Sequence, residues 1–372
     1  MSVTVCLSAR TIDCADELGG HVWMYLNWAT GLRAMGCRVI WLERIPSHIP
    51  AAALRARAVT LTNVLTRYGL TDCLAVYSPS SYSVPSELTD ICLDLDAAAE
   101  ADLLLNQLYE MEPEVVARFR RSALLDTDPG LLQYWMDADF IKIAPHDVYF
   151  TIGEHLGTRS GIRWEHTHPC TALDCWPPSD AAADAPFTTV SNWTVGKWVK
   201  DDEGLYRTDK RTGFAPFLDL PRHTTQPLEL ALYLSAEEED QRTSLRQLGW
   251  SVRDSRAVVA TPWDYQRYIQ ASRGEFSCAK PSYVRMQNAW MSERTLCYLA
   301  SGKPALVQHT GPSSYLPDAG GLFRFRDFGE AVRCLETVAD DYEHQCRLAR
   351  EVAEEFFDSR NVFGRLLDRA LL

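Results

Sequence analysis

Apolar residues recur along the chain in two alternating rhythms, short continuous runs and longer stretches with a helical repeat. Val3–Leu7 is the first run, followed by a polar loop, Ser8–Leu18. Gly19-Gly20 then opens an amphipathic segment, His21–Gly36, which leads into strand Cys37–Leu42. The same alternation predicts helix Ala51–Tyr68, strands Cys73–Tyr77 and Asp102–Leu105, and helix Pro113–Arg120. Strand Ala123–Asp126, helix Gly130–Met136 and strand Val148–Ile152 complete the first half. Runs of this kind separated by helices imply a parallel sheet covered on both faces.

A composition shift at Pro177–Pro186 reads as an exposed connector. Beyond it come strand Phe187–Val190, which ends in Ser191-Asn192-Trp193, and a hairpin over Trp193–Thr208 turning at DDEG. Apolar segments Phe214–Leu220 and Glu229–Leu234 follow, then helix Ala236–Leu248, strand Trp250–Arg253 and helix Trp263–Ser272. Gly321–Phe325 is the last strand, followed by helices Phe328–Val338 and Glu343–Phe357 and a terminal segment, Val362–Leu372.

The richest stretch is Ala271–Gly311. It offers a strand at Glu275–Cys278 and a loop, Ala279–Trp290, carrying Lys280 and Arg285. A helix starts near the N-cap residue Ser292, with Glu293 and Arg294 in its first turn. Gly302 and Pro304 end that helix, and ALVQ is a buried strand. Strand, cationic loop and helix N-terminus together suit an anion such as a nucleotide diphosphate. Each of these residues also has an ordinary reading, the cations as solvated charges and Glu293 as a partner of the helix dipole.

Length and charge narrow the choice. At 372 residues the chain exceeds one ordinary core and suits two domains. Its net charge of −13 and pI near 5.2 exclude a broad nucleic-acid-binding or anionic-membrane surface, but allow a local basic pocket. No apolar run approaches the roughly 20 residues of a membrane span. The 11 cysteines form no regular framework, and several, such as Cys6, Cys37, Cys278 and Cys297, fall in predicted elements as apolar filler. With an opening MSVTVCLSAR unlike a signal peptide, a soluble, cytoplasmic setting is expected, so the glycosylation-like Asn192-Trp193-Thr194 is discounted. Six lysines against a much larger arginine count, with abundant alanine, suggest a high-GC bacterial coding bias.

Three segments place reactive side chains at the carboxyl ends of strands in the first half: Asp13 and Asp16, the D-T-D-P-G run Asp126–Gly130, and Gly153-Glu154-His155. Asp128, and less readily Asp126, also fit as caps of the following helix. His166, His168, Cys170 and Cys175 lie close together, but Pro169 breaks helical presentation and no zinc pattern follows, so no metal site is assigned. No G-x-G-x-x-G follows the first strand, which disfavours a nicotinamide enzyme.

GGHVWMYLNWATGLRAMGCRVIWLE, FTTVSNW and GEFSCAKPSYVRMQNAWMSERTLCYLASGKPALVQHTG together resemble bacterial CgeB-like, GT-4-like glycosyltransferases of the GT-B class. A-S-G-K-P-A-L-V is similar to the A-x-G-x-P-V-[VI] joint of their donor halves. The resemblance implies an α/β chain with two Rossmann-like domains facing across a cleft and a C-terminal helix crossing back. Its domains would be an acceptor-binding 1–180, a donor-binding 186–345 and a helical tail 346–372 packing on the first domain. It further implies a metal-independent enzyme moving a sugar from a nucleotide-diphosphate sugar, with no separate cofactor, to a small soluble acceptor such as a natural product. Gly19, Gly20, Asn192, Trp193, Lys280, Arg285, Ser292, Glu293 and Arg294 would hold the donor, Glu293 taking the ribose. If transfer is inverting, His21 is the first candidate base because imidazole titrates near working pH, with Asp13 and Asp126 behind it. The family's E-x-F/G-x-x-x-x-E pattern is not evident, since Glu275 and Glu293 lie a loop apart, and this leaves the stereochemical outcome open. An epimerase or phosphorylase on the same fold, and a non-catalytic nucleotide-binding module, are the alternatives.

Overall fold

A computed structural model of the protein describes residues 3–194, 198–235 and 238–372. The chain divides into two units, Met1–Ala172 with Asp358–Leu372, and Leu173–Phe357.

The first unit is built on a seven-stranded parallel sheet: β1 Thr4–Ala9, β2 Arg38–Arg44, β3 Leu74–Tyr77, β4 Leu103–Asn106, β5 Ser122–Asp126, β6 Val148–Thr151 and β7 Glu165–His166. Their order is β3-β2-β1-β4-β5-β6-β7. Continuous burial of runs such as Leu103-Leu104-Leu105-Asn106 reflects helices on both faces, which is why these strands are uniformly apolar rather than alternating. Two long helices follow the first two strands, α1 Gly19–Ala34 and α2 Ala51–Arg67.

The second unit repeats the plan. Strands β8 Phe187–Asn192, β11 Leu228–Tyr233, β12 Ser251–Asp254, β13 Gly274–Ser277, β14 Ala305–Gln308 and β15 Leu322–Phe325 form a parallel sheet ordered β12-β11-β8-β13-β14-β15. Between β8 and β11 stands a separate antiparallel hairpin, β9 Trp198–Asp201 and β10 Gly204–Arg207. Counted within each sheet, the second runs 3-2-1-4-5-6 and the first runs the same with a seventh strand added beside the sixth, the order of a doubly wound nucleotide-binding fold. The order reverses between β1 and β4 in one sheet and between β8 and β13 in the other.

Several boundaries differ from expectation. Residues 173–185 and 346–357 belong to the second unit, leaving only Asp358–Leu372 of the tail with the first. Arg350 is one reason, because its guanidinium donates to the carbonyls of Trp176 (3.0 Å) and Ala300 (2.6 Å) and holds the connector to the second unit. In the first unit the Ser359 amide donates to the Thr171 carbonyl at 3.1 Å, and Phe363 packs edge-on to Trp28. The loop after β1 contains a 3₁₀ turn, Ile12–Glu17. Phe214–Leu220 holds a helix end and 3₁₀ turns where Pro216 and Pro221 deny the chain strand pairing. The cationic loop Ala279–Trp290 contains a short helix, Pro281–Met286, started by its proline. Residues 236–237, the expected start of a helix, and 195–197 of the expected hairpin lie outside the described residues, as does the side chain of Asp16. All 11 cysteines are free. Among the described residues no helix is long and apolar enough to cross a membrane.

Candidate functional site

Sheets wound in this order gather ligands at the carboxyl ends of their strands, beside the point where the order reverses. In the first unit the loop after β1 reaches that end. Its anchor is Glu43, a fully buried carboxylate on β2 that accepts from the Thr11 amide (2.9 Å), the Ile12 amide (3.2 Å), the Trp41 indole (2.8 Å) and the Thr11 hydroxyl. Burial raises the pKa of Glu43, and these donors oppose the rise. Gly19 and Gly20 are not loop residues but the first two of α1.

His21 stands in that first turn, with Nε2 at 2.7 Å from the Arg10 carbonyl. Nε2 therefore carries the hydrogen and Nδ1 is the acceptor nitrogen, the atom a base would use. Desolvation lowers the imidazole pKa, which keeps it neutral. Asp13 is held by Arg10 at 3.0 Å and by His48 at 3.3 Å. His21 and Asp13 are thus brought together around Arg10.

Asp126 has a different place. It is fully buried at the end of β5 and accepts from the Asp128 amide (2.9 Å), Thr151 Oγ1 (2.9 Å), Gln133 Nε2 (3.0 Å) and the Tyr109 hydroxyl (3.3 Å). Burial pushes its pKa up to about 6. Four donors on two oxygens make it the hub of a structural network. The helix that Asp128, and less readily Asp126, was expected to cap, Leu131–Asp137, is capped instead by Gly130 at φ +84°, a left-handed position that suits glycine. His166 and His168 lie with ring centroids 5.3 Å apart, and among the described residues no His/Cys/Asp/Glu group fit to hold a metal occurs.

The second unit brings most of its predicted residues to the reversal between β8 and β13. Two helices follow β13, here α3 Pro281–Met286 and α4 Glu293–Ala300. Ser292 occupies the N-cap position of α4 with extended backbone but makes no side-chain capping bond, and it lines a small cavity instead. Glu293 is half-buried in the first turn. Arg294 reaches inward, donating from Nε to Glu275 (2.7 Å), from Nη1 to the Val190 carbonyl (2.9 Å) and from Nη2 to Ser277 Oγ (2.6 Å). It fastens the ends of β8 and β13 to each other, and its role is to position them.

Lys280 caps the start of α3 with its backbone. Arg285 turns the other way, pairing with Glu203 of the hairpin and lying 4.2 Å from the Tyr206 ring centroid. Asn192 ends β8 exposed. Trp193 is a core residue, 1% exposed, packed on Phe214 and donating its indole N–H to Gln241 at 2.9 Å, so it is closed to a ligand.

One cation at this point escaped the sequence reading. Lys210 is buried, and its ammonium donates to the Cys278 carbonyl and lies 3.4 Å from Ser277 Oγ. It enters on a five-residue helix, Lys210–Phe214, whose N-cap Asp209 accepts from the Thr212 amide at 2.8 Å. Gly213 permits the approach, since a Cβ there would stand 2.0 Å from the Ala279 carbonyl oxygen. The T-D-K-R-T run, an Asp cap three residues before Thr212, was the available signal. Lys210, Ser277, Ser292 and Arg294 line a cavity of about 20 Å³, room for about one water.

The chain matches no protein-family model and no curated protein sequence. Its shape does match solved structures. Anabaena Alr3699/HepE in complex with UDP and glucose aligns over 99% of both chains, with a TM-score of 0.57 at 10% identity. An alpha-glucosyltransferase in complex with UDP and a 13-mer DNA containing a central A:G mismatch aligns over 100% of both, with a TM-score of 0.56 at 11% identity. The fold is GT-B. Within this GT-B chain, Lys210, Lys280 and the first turn of α4 converge at the strand ends of the second unit.

Proposed function

We propose that the protein transfers a sugar from a nucleotide-diphosphate sugar to a small soluble acceptor. The reading is carried by the placement of Lys210 beside Lys280 and the first turn of α4, at the reversal point of a nucleotide-binding sheet. It is supported by the likeness to proteins solved with UDP, glucose and UDP-glucose. When the glycosidic bond breaks, negative charge grows on the diphosphate. Two lysines and the amide dipoles of a helix start stabilise that charge where water is scarce. In this reading the lysines take the part a divalent cation plays elsewhere, and transfer needs no metal. Glu293, in the same turn, takes the ribose hydroxyls. In the first unit His21, through Nδ1, removes the acceptor proton if transfer is inverting.

A thermal-shift series with the common nucleoside diphosphates tests the donor side, since a ligand that binds only the folded state raises the melting temperature. Turnover is then followed as nucleoside diphosphate released with EDTA present. No shift with any nucleotide refutes the donor reading, and activity abolished by EDTA refutes the metal-independent one.

A further inference from the structure

Lys210 is an unusual place for a charge. Its ammonium is buried, with a backbone carbonyl and, at longer range, a hydroxyl around it. Two cations, a thiol and one carboxylate act on it. Arg294 and Lys280 repel it, and the Cys278 thiol is kept protonated by burial. The carboxylate that acts on it is Glu275, and its Oε1 is already bound to Arg294. Asp209, next in sequence, is spent on the Thr212 amide and hydroxyl and on Arg207. Ser277 Oγ already accepts from Arg294 at 2.6 Å. A buried ammonium repelled by two other cations, whose one acting carboxylate is shared with Arg294, favours its neutral form until a further anion arrives.

We propose that a nucleotide-diphosphate sugar binds together with a proton, which Lys210 takes up from solvent as the diphosphate settles beside it. The inference rests on the donor reading above. The step balances simply: a neutral amine and a hydrated proton become an ammonium, whose new partner is a diphosphate oxygen. Coupling follows from geometry, because the ligand supplies the negative charge that the site lacks. Desolvation, with Arg294 next, pulls the ligand-free Lys210 down to about 7, while a diphosphate in contact restores the charged form. The empty site then passes from charged to neutral as pH rises through about 7. Affinity for donor is flat below pH 7 and falls about tenfold per pH unit above it.

The probes are UDP-, ADP-, GDP- and dTDP-glucose, whose phosphates are diesters that hold constant charge across this range. Titration calorimetry at pH 8 in buffers of different ionisation enthalpy reads protons taken up per ligand bound. Uptake approaching one proton is expected for the parent at pH 8, and markedly less at pH 6. Lys210→Arg, always charged, binds with no uptake, and Lys210→Met binds more weakly, also with none. Binding without uptake at pH 8 overturns the inference while leaving the donor reading standing, and so does uptake that persists in Lys210→Met. If none of the four sugars binds, both fail.

Discussion

Arg294→Met is the most informative single change. The guanidinium is the partner of Glu275, a carboxylate on β13 with no exposed surface, and Glu275 Oε2 makes no other hydrogen bond. Removing Arg294 leaves that carboxylate buried and unpaired, which costs about 3–5 kcal/mol, most of it desolvation of the stranded charge. The bonds to the Val190 carbonyl and Ser277 Oγ go as well, loosening the reversal point between β8 and β13. Arg294→Met with Glu275→Leu removes both charges and fills similar volume, so the double variant recovers at least about 2 kcal/mol of the loss. Because two units unfold in this chain, the readout is urea dependence of hydrogen exchange at the buried amides of Phe276 and Leu306, which report on this sheet. A single-variant loss below about 1 kcal/mol, or a double variant no better than the single, would refute the buried pair. Donor affinity in the recovered double variant adds a second reading, because a positioning residue costs affinity through the strand ends it holds.

Two further outcomes follow. Gly31 on α1 sits where a Cβ would stand 2.5 Å from Ser359 Cβ, so Gly31→Ala pries the terminal helix Ser359–Ala370 from α1 and lowers stability by about 1–3 kcal/mol, and an unchanged melting temperature would refute that packing. Asp126, raised to about 6 when folded, contributes stability that is fully present below its unfolded pKa near 4 and is lost as pH rises through 6, about 3 kcal/mol in all; Asp126→Asn loses a hydrogen bond at every pH but flattens this slope, and parallel curves for parent and variant between pH 4 and 8 would sink the assignment.

What could be read in advance follows a physical division. The two parallel sheets were legible because strands buried on both faces are written as unbroken apolar runs, as in Leu103–Asn106 and Ala305–Gln308. The stretch around β13 and α4 was legible because its Gly and Pro punctuation leaves few alternatives. Side-chain direction was not. Arg285 and Arg294 lie in neighbouring helices with equal claims on paper, yet one leans out to Glu203 and the other turns in to Glu275. Trp193 borders a strand end as a ligand-binding residue would, but an indole with room in the core is worth more buried than exposed. Lys210 was missed for the converse reason. A lysine among polar residues reads as solvated, and only a close backbone approach at Gly213, some 60 residues before Ser277, carries it under the strand end. Its chemistry depends on which carboxylates are already taken, and that is a property of the packed site rather than of any segment. Arg294 claims Glu275 and Thr212 claims Asp209, so the lysine between them is left to an anion from outside.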